Sequence, residues 1–424
     1  AMSAERPPIV VIGAGAAGLM AALFAARAGA PVVLVERTAN GGRKILISGG
    51  GRCNILPSTV TPRRYVTDSS PNTLRKLLLD WPLREQRPFF EQALGMPLEL
   101  ESETGKLFPS SHKARDVRDR LVAWVRDAGA RTWFGTRVTD VSPMNDPSDP
   151  AVRWRVDLED APPIPASAVV LATGGLSVPA TGSDGFGLGL AERLGMEVHP
   201  TYPALTPLTA DPHPHAALAG VSLDVTIRAP GARPSFETRG GFLFTHRGWS
   251  GPTVLDASHL AIRGLRDGDR QELQVQWSDV EASEWEERLA QGSGTVRTAL
   301  AADLPRRLAD VLLDEVGVSA NTPLAQLRRE DRRALVIALT AYPLPWTGDE
   351  GFKKAEVTGG GVSLAEVEPR TLECRAHPGL FLCGEVLDAF GPIGGYNFLW
   401  AWSTGRAAGR AAASAALDGP PWRT

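Results

Sequence analysis

The sequence predicts an α/β fold on a parallel sheet, with the sheet-forming stretches at both ends of the chain and a different kind of structure between them. Three observations carry this. Short apolar runs suited to strands buried on both faces occur at Ile9–Ile12, Val32–Val35, Ala168–Leu171 and Leu380–Leu382. The first two are joined by a Gly-rich turn and an Ala-rich helix, a complete strand–turn–helix–strand unit ending at Glu36. From about Glu197 the pattern changes. Short strands such as Leu223–Arg228 and Glu272–Trp277, divided by Pro and Gly, give way over Ala282–Ala341 to helical spacing of Leu304, Leu308, Val311 and Leu312.

The first unit, Ile9 to Glu36, is the most specific local signal. Gly13-Ala14-Gly15-Ala16-Ala17-Gly18 opens a helix that ends near Ala28-Gly29. This is the dinucleotide fingerprint in its required context. Gly13 allows the tight turn, Gly15 lets the backbone approach a pyrophosphate, and Gly18 lets helix and sheet pack closely. The helix N-terminus offers free N–H groups and a positive dipole end to phosphates. Glu36, at the tip of the second strand, is placed to accept both ribose hydroxyls, which disfavours a 2′-phosphate there. FAD and NAD remain equal readings of this stretch. No second such motif opens a further βαβ unit, so a dedicated NAD(P)H domain is not expected.

Gly41–Asn54 reads as a loop with little helix or strand character. Its five glycines, with Arg43, Lys44 and Arg52, point to backbone pressed against a large anionic ligand. Two short helices are expected at Asn72–Trp81 and Leu83–Leu94, a hairpin through Leu98–Leu100 and Lys106–Phe108, and a helix over Lys113–Ala128. Arg131–Phe134, Arg137–Val141 and Val152–Leu158 read as a β-meander, with Asn145–Pro150 as a turn. The strand at Ala168 runs into Thr173-Gly174-Gly175, where the chain re-enters the sheet beside the cofactor, and Ser183 or Asp184 is a candidate helix cap. Near the C-terminus, Thr358–Val362 is expected to follow a strand. Cys383-Gly384-Glu385 ends a buried one, and Gly394-Gly395-Tyr396-Asn397 opens a helix of small residues through Ala416.

Composition bounds the rest. The 424 residues carry 45 Lys and Arg against 48 Asp and Glu, a net charge of −3, with 43% hydrophobic residues. This gives no global pull toward nucleic acid or anionic membrane. No apolar run is long enough to span a membrane, and Ala1–Arg6 has no secretory pattern, Ala1 reading as an expression scar. The three cysteines, Cys53, Cys374 and Cys383, form no Cys-x-x-Cys pair. That excludes a flavin disulfide reductase and points to a reducing, cytoplasmic setting. His213 and His215 read as a solvated loop rather than a metal site.

GAGAAG at Gly13–Gly18, GGRKILISGGGRCN at Gly41–Asn54, LFPSSHKA at Leu107–Ala114, LFTHRGWSGP at Leu243–Pro252, VTGGGVSLAEV at Val357–Val367 and GEVLDAFGPIGGYNFLWAWSTG at Gly384–Gly405 together resemble the BaiN-type (YhiN-like) family of oxidoreductases. The resemblance spans essentially the whole chain. It implies a discontinuous, Rossmann-like, glutathione-reductase-like FAD-binding domain over 1–197 and 351–424. A β-rich subdomain (198–280) and a small helical one (281–350) would be inserted in it. It implies that Gly13, Gly15, Ala16, Ala17, Gly18, Glu36 and Arg37 hold the ADP half of FAD. Arg43, Lys44, Ser48, Gly49, Gly50, Cys53 and Asn54 would run along the pyrophosphate toward the flavin. Thr173, Gly174 and Gly175 would flank the cofactor, and Gly384, Glu385, Gly394, Gly395, Tyr396 and Asn397 would complete the flavin end. The chain departs from the family pattern at Phe390, Ile393 and Leu399, apolar where the pattern is polar, and at Leu56-Pro57. Those changes imply a more hydrophobic substrate pocket.

The activity this implies is an NAD(P)H-driven reductase that delivers hydride from flavin N5 to an activated C=C bond of a small, fairly apolar molecule. His246 is a candidate proton donor; Tyr396 and Arg52 are candidates to polarise a carbonyl; Cys53 is more readily a buried structural thiol. Three alternatives stand beside it: an amine or amino-ketone oxidase using O₂, a reductase of a uracil base in ribosomal RNA, and a flavin-binding protein without turnover. The RNA reading needs a local basic surface, for which Arg63-Arg64, Arg75 and Arg84–Arg87 are available.

Overall fold

The computed structural model describes residues 6–145 and 147–418; the N-terminal reading at Ala1–Glu5 and part of the Asn145–Pro150 turn lie outside them. The chain divides into two compact units, unit 1 of Ala1–Thr201 with Val357–Thr424 and unit 2 of Tyr202–Glu356.

In chain order, unit 1 begins with β1 (Ile9–Ile12), α1 (Ala16–Arg27), β2 (Val32–Glu36) and α2 (Arg43–Ile47). There follow β3 (Leu56–Pro57), α3 (Pro71–Leu79), α4 (Leu83–Pro88), the hairpin β4 (Leu98–Glu101) and β5 (Lys106–Pro109), and α5 (Ala114–Asp127). Then come β6 (Arg131–Phe134), β7 (Val138–Pro143), β8 (Trp154–Leu158), β9 (Ala161–Ala166), β10 (Ala168–Leu171), α6 (Phe186–Arg193) and β11 (Val198–Ala204).

Unit 2 runs through β12 (Leu208–Thr209), β13 (Ser222–Ala229), β14 (Phe236–Phe244), β15 (Gly248–Ser250), α7 (Pro252–Asp267) and β16 (Gln274–Gln276). It continues with α8 (Ala282–Gln291), α9 (Val296–Ala301), α10 (Arg306–Val316), α11 (Arg329–Thr340), β17 (Tyr342–Pro343) and β18 (Gly348–Asp349). The chain returns to unit 1 by β19 (Val357–Val362), which pairs with β11, then β20 (Leu380–Leu382) and α12 (Tyr396–Asp418).

Unit 1 is built on a five-stranded parallel sheet in the order β20-β10-β1-β2-β6. Every residue of β1, β10 and β20 is buried, as a sheet covered on both faces demands. β6 is the edge strand, partly exposed, pairing Val33 with Arg131 and Glu36 with Phe134. This corrects the sequence reading of Arg131–Phe134 as part of a meander; the meander is β7-β8-β9. An edge strand with one short, half-covered face carries no clear alternation. The helical turn of α2 also falls where a structureless loop was expected.

The closest helix contact in unit 1 sets α12 against α1. A Cβ on Gly405 would stand 2.4 Å from the Ala17 carbonyl oxygen, and one on Gly409 would stand 2.2 Å from that of Ala21. The small residues of α12 are therefore required by backbone-to-backbone approach. Likewise Thr358–Val362 is itself the strand β19, not the segment after one. A Cβ on Gly360 would meet the Pro200 oxygen at 2.2 Å, and one on Gly361 the Val386 oxygen at 2.7 Å. Three glycines hid a strand whose neighbours are main chain.

Unit 2 has a seven-stranded sheet in the order β17-β16-β13-β14-β15-β12-β18. Its strands and helices share one core: Phe242 and Phe244 from β14, and Trp277 just after β16, lie in the same cluster as Trp285, Leu308, Leu312 and Leu335 from the helices. The two stretches expected as separate subdomains thus bury their apolar faces against each other.

Candidate functional site

The site in unit 1 begins where β1 meets α1. Gly13 has φ +100°, and a Cβ there would lie 2.3 Å from the Ala172 oxygen. A Cβ on Gly18 would lie 1.7 Å from the Gly13 oxygen. Gly15 differs: nothing stands within 4 Å of its Cβ position. Two glycines of the turn are thus fixed by packing, and the middle one faces the open side where a pyrophosphate would lie. Glu36 sits at the end of β2, its Oε2 accepting from Ala14 N at 2.8 Å and its Oε1 from Thr38 N at 2.7 Å. Each oxygen keeps lone-pair capacity for a ribose hydroxyl. Arg37 is ion-paired with Asp184, whose Oδ1 accepts from Phe186 N at 3.1 Å. Asp184 so bonds the first turn of α6, and Ser183 does not cap it; the N-cap residue is Gly185.

Lys44 reaches across unit 1 rather than out of it. Its Nζ donates to Ser177 Oγ at 2.6 Å and pairs with Glu385 Oε2 at 2.8 Å. Glu385 Oε1 accepts from Ser177 Oγ at 3.0 Å and Thr358 N at 2.9 Å. The network ties α2, β19 and the turn after β20 together. Arg43 is exposed and donates to the Ala180 oxygen at 3.1 Å. Ser48 donates to the Ile45 oxygen. Gly49, Gly50 and Gly51 have φ of +55°, +66° and +83°, a left-handed run that side-chain-bearing residues resist. Thr173 Oγ1 is buried with no hydrogen-bond partner, facing α6 so closely that a Cβ on Gly187 would stand 2.0 Å from it.

At the other end, Gly394 has φ +116° and nothing within 4 Å of its Cβ position. With its amide oriented to satisfy both groups, Asn54 donates to the Leu56 oxygen at 3.0 Å and accepts from Gly395 N at 2.9 Å. Asn397 makes a pair of bonds with the Gly391 backbone. Gly384 (φ +76°) passes close to Ala17, since a Cβ on it would stand 2.7 Å from the Ala17 Cβ. The residues from Gly13 to Glu36, the Lys44–Glu385 network and the open α12 N-terminus fit a long dinucleotide such as FAD.

The catalytic candidates fare unevenly. Arg52 is committed: it pairs with Glu101 at 3.1 Å and lies 4.1 Å from the centre of the Phe108 ring. Tyr396 is buried, and its Oη accepts from Thr61 N at 3.3 Å, leaving the phenol proton free to donate. Cys53 is fully buried, and burial pushes its thiol up to about 12 despite a hydrogen bond with Ser48, so it is no thiolate nucleophile. Leu399 and Phe390 are buried at 1% and 2% exposure, Leu399 within the core of unit 1, which corrects the expectation that both line a substrate pocket. Ile393 alone of the three keeps partial exposure.

In unit 2, His246 is exposed at the tip of the β14–β15 hairpin, whose turn is held by Thr245 Oγ1 accepting from Gly248 N at 3.0 Å. Ser250 lies in β15, and α7 starts at Pro252 with Gly251 as its N-cap residue. His215 is the larger surprise. It is fully buried, against the reading of a solvated loop. Trp249 Nε1 donates to its Nδ1 at 3.2 Å, while its Nε2 meets Glu315 at 2.9 Å and the Tyr342 hydroxyl at 3.0 Å. Burial works against the charged Glu315, yet the bonds from His215 and Tyr342 hold its carboxyl below the usual range. His213, partly buried, meets the Thr245 oxygen at 3.0 Å, and burial lowers its pKa.

Asp388 escaped sequence reading altogether. It is 1% exposed, and its Oδ2 accepts from Thr67 Oγ1, Asp68 N, Ser69 N and Ser69 Oγ at 2.7–3.0 Å. It pins residues 67–69 beside the start of the Gly391–Asn397 turn, where Phe390 pairs with Val66. Its position four residues beyond Gly384, inside a family motif, was the available signal.

The HI0933-like protein Rossmann domain family matches residues 7–411. The ribosomal RNA dihydrouridine synthase of Escherichia coli (strain K12) is 34% identical over 411 residues, covering 94% of this chain and 96% of that protein. The 3-dehydro-bile acid delta(4,6)-reductase of Clostridium scindens is 34% identical over 414 residues, covering 96% and 98%. Among solved structures, 3-ketosteroid delta1-dehydrogenase from Sterolibacterium denitrificans gives a TM-score of 0.52 over 97% of this chain and 100% of that one, at 11% identity, a likeness of fold. Among the described residues, no helix is long and apolar enough to cross a membrane.

Proposed function

The chain belongs to the HI0933-like family of FAD-dependent oxidoreductases, and from that premise we propose that it is a reductase that saturates a C=C bond conjugated to a carbonyl. The observation that carries this reading is the pair of relatives matched over nearly their full lengths. One is named for making dihydrouridine, the other for reducing a 3-dehydro-bile acid. The two substrates share little beyond an unsaturated carbonyl system. What the two names share chemically is what this chain takes from them.

The FAD these residues would hold would supply hydride chemistry for the substrate carbon remote from the carbonyl, with NAD(P)H as its proposed source. The chain's own residues hold and orient. Gly13–Gly18 and Glu36 take the ADP half, and Lys44, neutralised by Glu385, keeps α2 and β19 in register beside it. The N-terminal turn of the 23-residue α12 offers partial positive charge to an anionic edge. Tyr396, its proton free, is the proposed carbonyl donor in place of the committed Arg52. The carbon beside the carbonyl takes its proton from water.

The test of the reading is product analysis. FAD-loaded protein, NAD(P)H and a simple enone are incubated without oxygen, and the product is examined for two added hydrogens. An enone recovered unchanged, with H₂O₂ formed from an amine in air, favours an oxidase. No acceleration of flavin reduction by any donor leaves a flavin carrier.

A further inference from the structure

Between β10 and α6 the chain makes an irregular loop whose backbone is strained. Gly174, Val178, Gly182 and Gly185 have φ of +71°, +45°, +102° and +80°. Three of these are glycines, for which left-handed backbone is cheap, but Val178 is β-branched and resists it. Such a residue persists only where its surroundings over-determine it. Here they act from three sides. At the base, Leu176 N and Ser177 N both donate to Thr358 Oγ1, at 2.8 and 3.1 Å, and Ser177 is fully buried. On one flank, Arg43 of α2 donates to the Ala180 oxygen at 3.1 Å. On the other, the tip of the loop lands on the end of β2. A Cβ on Gly182 would stand 3.1 Å from Thr38 Cγ2 and 3.8 Å from Glu36 Oε1, and Arg37 is ion-paired with Asp184. β2 and α2 both flank the Gly13–Gly18 turn, the latter through a bond from Gly42 N to the Ala14 oxygen at 2.8 Å. The loop therefore bridges the two flanks of that turn and rests against the carboxylate placed for a ribose.

We propose that residues 176–184 are a clasp over the adenosine half of the dinucleotide, and that Arg37 is a positioning residue that shuts it through Asp184 rather than a ligand of the ADP. This rests on the reading that Gly13–Gly18 and Glu36 seat that half. The forces on the loop are balanced for opening. The Arg37 and Asp184 side chains are 40% and 35% exposed, and an exposed ion pair adds little stability. Opening costs that pair and the Arg43 bond, while it relieves the left-handed strain at Val178. An element held shut by weak contacts against stored strain has two states close in free energy. A dinucleotide under the closed clasp stays until the clasp opens, so the clasp sets how fast the cofactor leaves.

The exit rate of FAD tests this without turnover. FAD-loaded protein is diluted into excess ADP, which competes for the seat and blocks rebinding, and the freed flavin is collected by ultrafiltration over time. Asp184→Asn keeps an oxygen able to accept from Phe186 N but removes the charge, and it speeds release about two- to fivefold. Arg37→Gln does the same, and Arg37→Lys, which keeps the charge, restores most of the wild-type rate. R37Q/D184N releases FAD no faster than either single variant, because the two side chains act as one unit. Effects that multiply in the double variant overturn the proposal, since Arg37 would then hold the ADP itself. Slower release from Asp184→Asn, as the freed Arg37 grips the phosphates, overturns it as well. Melting temperature and the visible spectrum verify folding, and the Arg37→Gln and Arg37→Lys comparison carries the test where Asp184→Asn is unstable. ADP that displaces no FAD contradicts the seat at Gly13–Glu36 and the clasp with it, whereas displacement at the wild-type rate in every variant sinks the clasp alone. None of these rates depends on which substrate is reduced.

Discussion

Two glycine-rich stretches of unit 1 look alike in sequence and are needed for different physical reasons. In Gly13–Gly18 the absent side chains make room for main chain: Cβ atoms on Gly13 and Gly18 would fall 2.3 Å and 1.7 Å from carbonyl oxygens. In Ser48–Gly51 only Gly49 is crowded, its Cβ position 3.1 Å from the Asn54 nitrogen. Gly50 has nothing within 4 Å and Gly51 only an oxygen at 4.0 Å, but all three glycines have φ between +55° and +83°. The first stretch is glycine for packing, the second for handedness. A packing glycine cannot be replaced by any residue, whereas a handedness glycine tolerates one that accepts left-handed backbone.

The largest effect should come from Gly18→Ala. Helix, turn and sheet must move apart, costing about 3 kcal/mol or more, and the purified protein should lose its flavin. Urea denaturation and visible absorbance check this; a variant that keeps both would erase the distinction. Gly50→Ala should cost about 1–2 kcal/mol through backbone strain alone, and Gly50→Asn clearly less, because Asn is enriched in that conformation. Equal losses for Ala and Asn would mean that space, not handedness, governs Gly50.

How much of this was legible in the sequence follows the same line. β1, α1 and β2 were readable because their contacts are local and their glycine spacing is tied to one geometry. β19 was not, since its glycines answer to Pro200 and Val386. His215 was misread because Trp249, Glu315 and Tyr342, which bury and satisfy it, come from three distant stretches. Arg52 and Lys44 stood out in the sequence as cations, but their partners Glu101 and Glu385 were invisible without the fold.

Asp388 extends the comparison, as a residue whose role is wholly non-local. Burial raises its carboxyl above the usual carboxylate range, against the hydrogen bonds of Ser69 and Thr67 and the nearby His199; Asp68 pushes the same way as burial. A folded pKa above the unfolded value means that the native state holds the proton more tightly. Its stabilising contribution is then complete below about pH 3.9 and is lost as pH rises through the folded value. Asp388→Asn should flatten that fall in a pH series of denaturation midpoints. An unchanged slope would show that Asp388 is ionised at no cost. The smallest effect belongs to Cys53, at the end of the second stretch. With its thiol pushed up to about 12 by burial, it should resist alkylation near pH 8, and Cys53→Ser should alter flavin reduction by less than about twofold. Rapid alkylation with loss of activity would place that thiol in the chemistry.

The central claim is the reaction class, and rapid mixing of the reduced protein tests it most directly. FAD-loaded protein is reduced by one equivalent of NAD(P)H without oxygen. It is then mixed separately with a cyclic enone, with a uridine-containing oligoribonucleotide and with dissolved O₂. The account predicts that the flavin band returns fastest with one of the two unsaturated carbonyl acceptors, which is recovered saturated. A band that returns only with O₂, forming H₂O₂ and leaving both acceptors intact, would contradict it.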